Sequence, residues 1–185
     1  MRLVVGISGT SGVIYGLKLL EILKEKGVET HLVLTDIVEN ILREEVGLTI
    51  SEVKSLAKYC YDIDCLTAPI ASGSFRTDGM VVIPCSMKTL SGIAHGYSEN
   101  LLLRAADVTI KERRCLILVP RETPLSPIHL QNMLELSKIG VTILPAMPAF
   151  YHNPKTIDDI ISYVVGKVLD ILNIEHTLYQ RWGTY

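Results

Sequence analysis

Apolar and polar positions alternate along this chain in two rhythms. Five short, nearly unbroken apolar runs, RLVVGIS, ETHLVLT, GMVVIPC, RCLILVP and VTILP, carry the length and β-branched content of buried strands. Between them lie longer stretches with apolar residues at helical spacing: SGVIYGLKLLEILKEKG, DIVENILREEV, SEVKSLAKYC, SMKTLSGIAHG, ENLLLRAADVTIKER, SPIHLQNMLELSKIG and KTIDDIISYVVGKVLDIL. Continuous apolar strands alternating with amphipathic helices predict a parallel sheet covered on both faces, a doubly wound α/β fold in one domain spanning residues 1–185. The segment DIDCLTAPIASGSFRTDG is rich in turn formers and is read as a long loop, of a length that is usually functional or disordered.

Ligands of such sheets sit outside the carboxyl ends of the strands. Those ends read SGTSG, LTD, PCSMKT, PRETP and PAMPAFYHNP. The first belongs to GISGTSG, whose glycines miss both the dinucleotide fingerprint and the Walker A pattern. Backbone amides at a helix start, with the hydroxyls of Ser8, Thr10 and Ser11, still suit a phosphate, although a turn capped by Thr10 or Ser11 explains the same residues. PCSMKT repeats the design, with Ser86 and Thr89 opening a helix. Two such starts on one sheet edge suit a mononucleotide better than a dinucleotide, for which Asp36 would be the ribose-gripping group. Arg121 and Glu122 stand at a strand mouth, and Arg104 and Lys111 share one helix face.

Composition narrows the function. With 18 Lys+Arg against 20 Asp+Glu the net charge is −2, which gives no general attraction for nucleic acid or an anionic membrane. No apolar run approaches the length of a membrane span, and the first strand leaves no room for a signal peptide. Four cysteines without CxxC spacing are read as reduced thiols of a cytoplasmic protein. The histidines show no ligand spacing, and Asp158 and Asp159 lack the DDxxD pattern, so no metal site is expected. A catalyst handling phosphate here needs cationic side chains instead.

Taken together, GISGTSGVIYG, ASGSF, PCSMKTLSGIAHGYSENLLLRAADVTIKERR, LVPRETPLSPIHLQNM, PAFYHNP and the closing RWG resemble the UbiX flavin prenyltransferase family over essentially the whole chain. Members were formerly described as 3-octaprenyl-4-hydroxybenzoate or phenylacrylic acid decarboxylases. The resemblance implies a flavodoxin-like, Rossmann-type fold and transfer of the dimethylallyl group of dimethylallyl phosphate to N5 and C6 of reduced FMN. The product is the prenylated-FMN cofactor of UbiD-type decarboxylases. It further implies that Gly9, Thr10, Ser11, Thr35, Ser86, Met87, Lys88, Thr89 and Arg121 contact FMN. Arg104, Lys111, Arg121, Tyr151 and Lys167 would form the donor-phosphate site, and Ser11, Glu45, Lys111 and Glu122 would act at the reacting centre. A homododecamer with flavin between subunits is implied as well.

Two positions depart from some relatives. Lys167 stands where arginine is common, replacing a bidentate grip by a point charge. Leu66 stands where some members place a tryptophan. The chemistry suits the cationic set, because loss of phosphate from an allylic carbon leaves a carbocation and a growing negative charge that Arg121, Lys111 and Lys167 can bind. Two alternatives share the fold. A flavin-dependent cysteine decarboxylase would need a PxMN segment, where this chain has PAMP with Pro148, and a non-catalytic flavin carrier would not need a second phosphate site.

Overall fold

The computed structural model describes residues 1–183. The elements follow in the order β1 (Arg2–Ile7), α1 (Val13–Glu25), β2 (Glu29–Leu34), α2 (Val38–Glu45), α3 (Ile50–Lys54), β3 (Tyr59–Tyr61), β4 (Gly79–Cys85), α4 (Met87–Ala94), α5 (Leu101–Lys111), β5 (Cys115–Pro120), α6 (Pro127–Lys138), β6 (Thr142–Ile143) and α7 (Ile157–Ile171). A short 3₁₀ turn at Pro69–Ala71 interrupts the long loop. The predicted alternation holds, with one strand more than the five runs anticipated.

All pairings are parallel, and the strand order is β3-β2-β1-β4-β5-β6. Without β3, the remaining strands have the flavodoxin order; β3 extends the edge and gives the six-strand Rossmann order. Tyr59, Cys60 and Tyr61 pair with His31, Leu32 and Val33. This strand replaces the end of the helix predicted in SEVKSLAKYC, because α3 stops at Lys54. At three residues, β3 is too short to show a period of two.

The continuous apolar runs conceal a strict alternation. Leu3, Val5, Ile7, Leu32, Val81, Ile83, Ile117 and Val119 face one layer with α1, α2 and α7. Val4, Val33, Met80, Val82, Leu116 and Leu118 face the other, with α4, α5 and Leu136 of α6. Two-sided burial is what removes polar residues from both faces of the central strands.

The order reverses between β1 and β4, and their ends are tied by one side chain. Ser8 is fully buried; its hydroxyl donates to the Pro84 carbonyl at 3.1 Å and accepts from the Ser86 amide at 2.7 Å. Its one O–H, the group a phosphate would need, is thus spent on the fold, which corrects its reading as a phosphate ligand.

Candidate functional site

A cleft of about 980 Å³ opens at this switch point. Gly9, Thr10, Thr35, Ser86, Met87, Lys88 and Thr89 line it, together with Asp36, Asp64, Glu99 and Glu122. Seven of the nine flavin contacts implied by the sequence therefore share one cavity, of the size that small-molecule sites occupy. Thr35 Oγ1 is buried there with no hydrogen-bond partner, a vacancy in the bonding of the wall that a polar ligand atom would fill.

The two helix starts differ in what they offer an anion. At α1 the N-cap is Gly12, with φ 101° and no side-chain cap. Glu45, from the end of α2, supplies one instead: its carboxylate accepts from Gly12 N at 2.9 Å and from Val13 N at 3.3 Å. The cap is thus neither Thr10 nor Ser11, and the phosphate-like position above α1 holds a protein carboxylate. At α4, Ser86 accepts from Thr89 N at 3.2 Å, an ordinary N-cap bond. The amides of Met87 and Lys88 lie in the first turn, where no intrahelical carbonyl reaches them, and both residues line the cleft. Of the two helix starts, that of α4, with Lys88 beside it, is the one without a carboxylate over its amides.

Arg121, just past β5, spans the rim. Its Nη2 donates to Thr10 Oγ1 at 2.8 Å and its Nε to the Ser11 carbonyl at 3.2 Å, while Thr10 Oγ1 donates to the Arg121 carbonyl at 3.1 Å. This reciprocal pair holds the β1 and β5 loops together. Glu122 follows in the cleft wall, its carboxylate accepting from Thr123 N at 3.1 Å, while the adjacent guanidinium braces the edge.

The remaining residues lie elsewhere in the chain. Arg104 donates to the Ala71 carbonyl at 3.1 Å and pairs with Asp107 at 2.7 Å. Lys111 pairs with Glu112 at 2.6 Å, and a Cβ on Gly73 would come within 2.8 Å of its Nζ. Both cations thus face the 69–77 loop, on one face of α5 as the spacing predicts, and neither lines the cleft. Tyr151 packs edge-on against Trp182, Tyr163 and His152. Burial pushes its phenol pKa up, and Tyr163 adds to the shift. Lys167 pairs with Asp170 at 3.4 Å. Leu66 is exposed and lies outside the cleft lining. One chain therefore holds the flavin-type set in one place and divides the phosphate-type cations among three.

Sequence reasoning missed the cap role of Glu45, which depends on a contact between separate helices, and it missed Asp170, three of whose four partners lie in a segment without periodicity. No group of three His, Cys, Asp or Glu side chains suited to a metal occurs among the described residues. No helix there is long and apolar enough to cross a membrane. All four cysteines are free thiols, and complete burial raises the pKa of Cys85 strongly.

This switch-point cleft on a doubly wound sheet is that of a flavoprotein, and the flavoprotein family profile matches residues 1–169. More narrowly, the chain belongs to the UbiX flavin prenyltransferase family. It is 50% identical over 184 residues to the flavin prenyltransferase UbiX of Methanocaldococcus jannaschii, covering 100% of each chain. The crystal structure of AnUbiX (PadA1) in complex with FMN and dimethylallyl pyrophosphate superposes with a TM-score of 0.97 at 46% identity, covering 100% of this chain and 98% of that one. A dodecameric FMN-dependent UbiX-like decarboxylase from Escherichia coli O157:H7 gives a TM-score of 0.96 at 51% identity, covering 98% and 99% of the two chains.

Proposed function

We propose that this protein is a flavin prenyltransferase, which joins the dimethylallyl group of dimethylallyl phosphate to N5 and C6 of reduced FMN. The observation that carries the reading is the meeting of seven flavin-type residues with Glu122 in one cleft at the switch point. The AnUbiX structure, with FMN and dimethylallyl pyrophosphate bound to a chain of nearly the same fold, supports FMN and a phosphorylated dimethylallyl donor as the substrates.

FMN fits the residues present. Thr35 Oγ1 lacks a partner inside the protein, and the α4 first turn with Lys88 suits the FMN phosphate. Reduced flavin supplies the nucleophilic ring positions. The protein binds and orients it through Gly9, Thr10, Ser11, Thr35, Ser86, Met87, Lys88, Thr89 and Arg121. In this reading Glu122 takes up the proton released at the ring, and Glu45 and Ser11, at the start of α1, are the further polar groups assigned to the reaction.

Arg104, Lys111, Arg121, Tyr151 and Lys167 act on the donor phosphate, where charge-assisted hydrogen bonds stabilise the leaving group as its bond breaks. Because Lys111 and Arg104 face away from the cleft of their own chain, the reading requires a second subunit to bring them to it. The exposed Ile128, Leu130 and Leu134 of α6 give the chain apolar surface to bury in such an assembly. A homododecamer is the form taken by the Escherichia coli relative.

Residues 1–185 act as one flavoprotein domain in this reading. The product passes to a UbiD-type decarboxylase, and the four free thiols support a reducing, cytoplasmic setting. The test is anaerobic incubation with reduced FMN and dimethylallyl phosphate, followed by mass spectrometry of the bound flavin. One added five-carbon unit is the expected result. Unmodified FMN in the presence of donor would overturn the reading in favour of a flavin carrier.

A further inference from the structure

The segment after α7 doubles back on that helix and is tied there through one carboxylate. Asp170, in the last turn, accepts from Tyr179 Oη at 2.5 Å, Arg181 Nη2 at 2.6 Å, His176 Nε2 at 3.1 Å and Lys167 Nζ at 3.4 Å. Three of these donors come from the returning segment and one from the helix. Burial opposes the charge on Asp170, but the bonds from Arg181, Tyr179, His176 and Lys167 outweigh it and hold the carboxyl well below its ordinary range. Asp170 is therefore ionised wherever the protein works.

The helix is shaped to receive this segment. A Cβ on Gly166 would lie 2.6 Å from the Tyr179 ring and 2.9 Å from His176, so only glycine lets the two rings lie against α7. Beyond them the segment carries Trp182 edge-on to Tyr151, with ring centres 5.4 Å apart. Arg181 lies close enough to Tyr151 to oppose the upward shift of its phenol, as does Lys167.

None of the chemistry above uses Asp170, yet what it holds does take part. We propose that Asp170 is a positioning residue that latches residues 174–183 onto α7, and so fixes the Lys167 ammonium and the Tyr151 ring against the phosphate of the prenyl donor. The identity of that ligand rests on the prenyl-transfer reading; the latch does not. Without the carboxylate, Lys167 and Arg181 lose a shared counter-charge, and Tyr151 loses the ring that backs it.

The test compares Asp170→Asn with wild type on protein loaded with oxidised FMN, where the donor binds without reacting. Calorimetry should show dimethylallyl phosphate binding weakened about tenfold, the scale of one charged hydrogen bond, with FMN affinity unchanged. In turnover, KM should rise in parallel while kcat stays within about threefold. Trp182 is the only tryptophan in the sequence, so emission anisotropy reports the latch directly and should fall as the segment is released. Arg181→Ala, on an exposed side chain, should give the same pattern more weakly, and Arg181→Lys should recover part of it. If Asp170→Asn does not fold, the Arg181 pair decides on the same readouts. A lowered melting temperature with unchanged donor affinity would make Asp170 merely structural and overturn the proposal. Wild-type protein that binds donor but transfers nothing would sink the prenyl-transfer reading and leave the latch standing; wild-type protein that binds no donor would overturn both.

Discussion

The Glu45 carboxylate accepts the Gly12 amide at 2.9 Å and so closes the start of α1 from a neighbouring helix. A carboxylate at a helix N-terminus both satisfies orphan amides and meets the positive end of the dipole. Replacing Glu45 by alanine should cost about 1 kcal/mol, the scale of a lost N-cap, read as a lower urea midpoint at an unchanged m value. A midpoint equal to wild type would show that water caps α1 equally well.

Glu122 and Lys111 should separate chemistry from binding. Glu122→Gln keeps shape and removes proton acceptance, so prenylation should slow by about 10²–10⁴-fold while FMN is retained. On the prenyl-transfer reading Lys111→Ala removes a phosphate contact, and its loss should recover in part at high donor concentration. A donor titration of both variants, with bound flavin followed by absorbance, checks the pair. Wild-type turnover in Glu122→Gln would pass the proton to Glu45.

The position of Lys111 away from its own cleft leads to a mixing experiment. Lys111→Ala and Glu122→Gln subunits, dissociated together and reassembled, should regain activity that neither variant shows alone. Each mixed contact can then combine an intact cleft with an intact Lys111. Reassembled mixtures no more active than the separate variants would mean that each chain completes its own site.

Stability should fall on mild acidification because of His31. Burial depresses its pKa against the opposing pull of Glu29, so the unfolded chain takes up the proton first as pH drops. Its contribution is present above the unfolded value near 6.5 and is lost below it. Glu29 runs later: the Arg2 hydrogen bond comes first in holding its carboxyl down to about 2, so its contribution begins to fade only below its ordinary value of 4.5. Urea midpoints should be level between about pH 7 and 8 and decline as the pH falls below about 6.5. His31→Gln should abolish that decline and keep the one at lower pH.

Chelation provides the last prediction. The phosphate-type groups are lysine, arginine and tyrosine, so turnover after prior treatment with a chelator should match the untreated enzyme. Activity lost to the chelator and restored by magnesium would reassign the phosphate site to a metal.

What could be read from the sequence follows the range of the forces involved. Strands β1, β2, β4 and β5 carry enough apolar positions to be read as unbroken runs, and every helix of eight residues or more carries enough to declare its period. The loops at their ends are fixed by the topology once the strands are known, which is why Gly9, Thr10, Ser86 and Glu122 could be placed at one edge. β3 could not be read, because in KYCYD a lysine, two tyrosines and an aspartate surround one small apolar residue, and its pairing is imposed by β2. Long-range polar partners were equally hidden. Ser8 resembled a ligand until its contacts with Pro84 and Ser86 used its hydroxyl. IEHTLYQRWG has no hydrophobic period, and its fold against α7 is seen only where Asp170 gathers His176, Tyr179 and Arg181.

Ser8 has one further consequence. Because its hydroxyl rivets the end of β1 to the end of β4, the gap between the two ligand loops is set by the sheet and not by whatever enters it. The loops need not be drawn together when a ligand arrives, so little ordering entropy opposes its binding. The aperture is finished with the fold, and a guest is selected by fit instead of shaping its own seat.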